Sequence, residues 1–134
     1  MRLIVLFLAG LFTGFMCALM VANALRENTR FEIGLMAVMG HHQRALDGLV
    51  RGPAEACSVE AATHHLRQLA AAGLDLERAF PVTNDDALFA QKAEGFRAAT
   101  ASALAAPLAD CAAVAAAAEA TRSACTDCHT PFRG

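Results

Sequence analysis

Residues 111–134 read CAAVAAAAEATRSACTDCHTPFRG, and this stretch decides what the chain is built from. Alanine is the best helix former because it gives up no side-chain rotamers on folding. Pro107 fits a helix's first turn, so the sequence predicts a helix from there through the alanine run towards Phe132. The alanine run is therefore a helix and not a linker. β-Branched runs are scarce after the first 25 residues, which makes the domain all-α.

Leu25 to about Val50 reads as a first helix, with Met36, Met39, Leu46 and Leu49 at helical spacing. Gly52-Pro53 stops it. A second helix spans about Val59 to Glu77 with a partial start signal: Ser58 can cap it, but Ala61 sits where a capping box would want Glu or Gln; Leu66, Leu69, Gly73 and Leu76 mark its inner face. Pro81 and Thr83-Asn84-Asp85-Asp86 supply a loop and the N-cap of a third helix, which carries Phe89, Phe96 and Ala103 on one face. Four helices joined by short loops predict an antiparallel up-down four-helix bundle.

Leu3 to Ala22 is an uncharged, mostly apolar run preceded only by Met1 and Arg2. Twenty such residues span roughly 30 Å, the hydrocarbon thickness of a bilayer. That length favours a retained anchor over a cleaved signal, whose apolar core is usually about 7–15 residues. Ala22-Asn23-Ala24 nonetheless supplies an A-x-A cleavage site, so both readings stand. The chain accordingly divides into 1–24, anchor or signal, and 25–134, the bundle. Arg2 stays inside, so the remainder crosses to the periplasmic side in either case. Gly10 and Gly14 form a GxxxG, a weak signal for helix packing.

The formal charge is −2, with no Lys/Arg stripe, which argues against nucleic-acid binding. An alanine-rich core buries little apolar area per side chain, and a large apolar group at its centre would offset that.

Cys125-Thr126-Asp127-Cys128-His129 has the C-x-x-C-H spacing of haem c attachment. Positions i and i+3 share a helix face, so two thiols can reach two vinyl groups together, and the next residue offers an imidazole to the iron. A zinc site would want a fourth ligand from a second CxxC or HxxxH, and none is evident. A redox CxxC sits after a strand at a helix N-terminus, whereas this one lies late in a helix. The expected cofactor is one covalent haem c.

A C-terminal CxxCH on the last helix, followed by Thr130-Pro131-Phe132-Arg133, resembles the class II c-type cytochromes, the cytochrome c′ and cytochrome c556 family. Most class I cytochromes have the reverse order, with CxxCH near the N-terminus. The resemblance covers about Thr29 to Gly134. It implies a four-helix bundle, often a homodimer, with haem between the helices and proximal His129. It also places the family's basic residue after the histidine on Arg133. In this family a residue in the first half of the first helix faces the other side of the iron, and Met36 is the first Met in that window. A ligating Met36 implies a low-spin electron carrier. A Met36 that only shields an open site implies five-coordinate iron that binds nitric oxide or carbon monoxide. Met39 is the alternative if the register shifts by a turn. His41 or His42 would give bis-His ligation, although these two, with His64 and His65, are expected at the bundle surface. The chain departs from the family where an Arg usually stands four residues before the distal position: Glu32 is there, and Arg30 is two residues earlier.

Cys57 and Cys111 fall at one end of an up-down bundle, so a disulfide between them is geometrically allowed and suits an oxidising compartment; the alternative is two unpaired thiols. The functional expectation is electron transfer beside a membrane electron-transport complex or redox partner protein, with gas binding as the alternative. An accessory haem subunit is a third reading, and an enzyme is the least supported.

Overall fold

The computed structural model describes residues 2–53, 57–81, 83 and 86–132, the side chains of 3–5 and 27–30 excepted. Among the described residues the protein is all-helical, without strands. Its elements are α1 (Arg2–Arg51), α2 (Val59–Gly73), α3 (Leu76–Ala79), α4 (Ala87–Ala105), α5 (Cys111–His129) and a 3-10 turn over Thr130–Phe132. Backbone packing divides the chain into two compact units, Met1–Ile33 and Gly34–Gly134.

The first unit is the N-terminal part of α1. Its side chains from Leu6 to Arg26 are exposed, including Leu6, Phe7, Leu11, Phe12 and Phe15. A helix apolar on every side has no polar face to give to water, and by length and composition this one can cross a membrane. Nothing lies within 4 Å of a Cβ built at Gly10 or Gly14.

The second unit holds the core. Leu46 of α1, Leu66 and Leu69 of α2 and Val114 of α5 are fully buried, and Leu35, Met39, Leu76, Phe89 and Phe96 pack with them. Phe89, Phe96 and Ala103 are all buried, as their spacing requires of one inward face of α4. The backbones of α4 and α5 approach closely because their facing side chains, among them Ala93, Ala103, Ala117 and Ala118, are small.

Local signals set most helix starts. The Ser58 hydroxyl accepts from Ala61 N at 3.1 Å, and the Asp86 carboxylate accepts from Leu88 N at 2.8 Å. Three boundaries differ from the sequence reading. The helix expected to start at Leu25 belongs to α1, which starts at Arg2. The second helix ends at Gly73, not Glu77, and chain through Leu74-Asp75 separates it from α3. Leu74 N–H closes on Ala71 and Ala72 carbonyls there, and Gly73 lies flat against Phe96. The last helix starts at Cys111, with Pro107 in the preceding loop. Asp110 is the N-cap that wins, its carboxylate accepting from Ala113 N at 2.8 Å. Cys57 and Cys111 form a disulfide with a Cα–Cα distance of 6.0 Å, which ties the chain before α2 to the start of α5.

Candidate functional site

The site is built from the C-terminal end of α5 upward. Cys125, Cys128 and His129 occupy its last turn, all half-buried, on the side facing α1. Lys92 of α4 holds this turn from outside. Its Nζ donates to both Asp127 carboxylate oxygens at 2.8 Å, inside the CxxCH itself.

Two apolar cavities meet here. One, of about 240 Å³, is lined by Cys125, Cys128 and His129 with Met36, Met39 and Phe96. The other, of about 230 Å³, continues past Cys128 and His129 to Phe80, Phe89 and Phe132. Met36, Leu76, Cys128 and His129 line both, so the cavities form one cleft divided at those residues. The three phenylalanines make a cluster at the far end. Phe89 stands 5.7 Å from Phe80 and 5.9 Å from Phe132, centroid to centroid, in tilted and edge-on geometry.

The cleft therefore gathers Cys125, Cys128, His129 and Met36, with Met39 touching only its first half. Met39 is buried in the core, whereas Met36 is half-buried and reaches both halves. His41 and His42 do not line it. Arg133, and the Arg30 side chain, lie outside the described residues. Gln43 and Arg44 also line the first cavity, a role the sequence does not signal. Arg44 is exposed and, among the described residues, has no ion-pair partner.

The electrostatics do not suit thiol redox chemistry. Burial, then the neighbouring Cys128 and Asp47, push the Cys125 thiol up to about 11. Burial and Asp127 also raise Cys128, against the pull of Lys92. A redox CxxC needs the opposite, a thiol lowered by a helix N-terminus or a cation. Nor do these residues form a zinc cage. Among the described residues the one group of His, Cys, Asp or Glu with converging ligand atoms is His42, His64 and His65, well away from the CxxCH in sequence. Of the four histidines expected at the surface, His41 and His64 are exposed but His42 and His65 are half-buried.

No family model, curated protein or solved structure matches the chain.

Proposed function

We propose that the protein is a mono-haem c-type cytochrome of the class II kind, an electron carrier held at the periplasmic side of a membrane by its N-terminal helix. One observation carries the reading: the two thiols and imidazole of the CxxCH open onto the same apolar cleft as the Met36 thioether. The residues present fit a haem. Two thiols share one helix face, the walls are almost wholly apolar, aromatic rings close one end, and Arg44 offers an unspent positive charge to a propionate.

In this reading Cys125 and Cys128 would hold the cofactor covalently and His129 would offer its imidazole to the iron. When bound, the haem supplies a one-electron ferric/ferrous couple. Phe80, Phe89 and Phe132 exclude water from the cleft, and a dry surrounding is one of the levers that sets a haem potential. Met36 would offer a soft sulfur to the iron. Arg44 takes the electrostatic part that the family's Arg plays where this chain has Glu32.

The same reading makes the second unit an antiparallel up-down bundle of α1, α2, α4 and α5, with α3 as a turn in the connection. Pairs between α4 and the chain from α5 into the 3-10 turn support this sense, since Lys92 meets Asp127 while Phe89 meets Phe132. The disulfide supports an oxidising compartment. A membrane tether would raise the local concentration near a redox complex of that membrane.

The test is made on the full chain produced with haem-attachment machinery. Haem that stays on the chain in a denaturing gel, and is lost in Cys125→Ala/Cys128→Ala, is the expected result; a chain that never carries covalent haem would sink the proposal. Carbon monoxide added to the reduced protein should leave a low-spin spectrum unchanged. Rapid carbonyl formation would instead assign the gas-binding function.

A further inference from the structure

We infer that His42, His64 and His65 form a second metal site, separate from the CxxCH cleft, for one divalent late transition-metal ion of the copper, nickel or zinc type. His42 comes from α1, and His64 and His65 are neighbours on α2. One ligand nitrogen from each lies within 4.8 Å of the other two. The rings of His42 and His65 are 5.2 Å apart, those of His42 and His64 6.0 Å, and those of His64 and His65 5.2 Å.

The closest pair carries the argument. Nδ1 of His42 and Nδ1 of His65 are 2.9 Å apart. Without a metal, that contact requires one Nδ1 to carry the proton and the other to accept it, so the accepting imidazole must be neutral with its own proton on Nε2. The same spacing suits coordination. With metal–nitrogen bonds of about 2.0–2.1 Å, two ligand atoms at a right angle stand about 2.9 Å apart, and at a tetrahedral angle about 3.3 Å. The two rings thus present two lone pairs to one ion once the donating ring gives up its Nδ1 proton, in a neutral ring by a shift to Nε2.

The donor set selects the ion. It is all imidazole, with no carboxylate in the converging group, which suits copper(II), nickel(II) or zinc and not calcium or magnesium. His64 is exposed, so an ion held by three nitrogens keeps positions open to water. Neither His64 nor His65 lines the cleft, and His42 lies on α1 outside the set that does. The site therefore does not depend on the haem reading.

The experiment uses the full chain in detergent, without a polyhistidine tag, freed of loose metal by a chelator. Zn²⁺ titration calorimetry should show one saturable equivalent per chain. Cu²⁺ should give an electron paramagnetic resonance spectrum with nitrogen hyperfine structure. His64→Asn and His65→Asn should each weaken Zn²⁺ binding at least about tenfold, while His41→Asn and Cys17→Ser leave it unchanged. The visible spectrum of each variant should match that of the parent. Absence of saturable binding in the parent, or parental affinity in His65→Asn, would overturn the site. A changed haem spectrum in His65→Asn would also overturn it, by assigning the ring to the haem.

Discussion

Thr121 Oγ1 donates to Gln43 Oε1 at 2.8 Å, joining α5 to α1 across 78 residues of sequence inside the core. Gln43 Nε2 in turn donates to Ala118 O and to Asp47 Oδ1, each at 3.0 Å. Every polar atom of the Gln43 amide is thus used, and Gln43 also lines the cleft that holds Met36 and His129. This clamp fixes where α1 sits against the helix that carries the CxxCH. In Thr121→Val, the shape is kept but a buried amide oxygen loses its donor. The expected cost is about 1–3 kcal/mol, read as a lower denaturant midpoint with unchanged slope. An unchanged midpoint would mean that water replaces the hydroxyl.

Beside the clamp, Arg122 donates to Asp47 at 2.7 Å and also pairs with Glu119. Burial works against ionisation of Asp47, but hydrogen bonds from Arg122 and Gln43, with the charges of Arg122 and Arg51, outweigh it. The carboxyl is held below its ordinary value. The unfolded chain therefore binds this proton more tightly than the folded one. The resulting stability is fully present above the unfolded carboxyl pKa of about 3.9 and is lost as pH falls through the lower folded value. Asp47→Asn should flatten the acid limb of a stability–pH curve measured from about pH 6 down to about pH 3. An acid limb of parental steepness in the variant would assign it to other carboxylates, Glu77 first, which Arg97 holds low in the same way.

Two glycines should respond oppositely to alanine. A Cβ at Gly73 would meet Phe96 ring carbons at 3.0 and 3.1 Å, and Phe96 is buried and cannot swing away. Overpacking of about 1–3 kcal/mol exceeds the helix-propensity gain of up to about 1 kcal/mol, so Gly73→Ala destabilises. Gly95 is exposed in the interior of α4 with nothing within 4 Å, so Gly95→Ala should stabilise by about 0.5–1 kcal/mol. Thermal melts of the two variants should shift in opposite directions; shifts of the same sign would contradict the packing at one of them.

What the sequence discloses follows the range of each interaction. Cys125, Cys128 and His129 are legible together because they are neighbours on one helical turn. The Phe89–Phe96–Ala103 face and the Ser58 and Asp86 caps are legible for the same local reason. Met36 enters only through a family resemblance, since no motif sets its register, and the cleft that gathers it with the CxxCH is a product of packing. Gln43 and Arg44 belong to no motif; only Thr121, Ala118 and the cavity give them a role. The His42–His65 contact lies 23 residues apart and needs two helices side by side. Pro107 misleads because a first-turn proline and a loop proline look alike until Asp110 is seen to cap.

The two methionines separate the cleft's chemistry from its packing. Met39 is almost fully buried and borders only the first cavity, so Met39→Ala removes core contacts and should cost about 2–5 kcal/mol. It should leave the reduced protein's response to carbon monoxide the same as in the parent. Met36 is half-buried and borders both cavities, so Met36→Ala should cost less stability, about 1–2 kcal/mol. The same change should convert the spectrum to one that responds rapidly to carbon monoxide. The two readouts therefore move on different variants if Met36 is the distal ligand. If Met39→Ala alone opens the site to gas, the ligand is one helical turn further on; if neither does, the distal position belongs to neither sulfur.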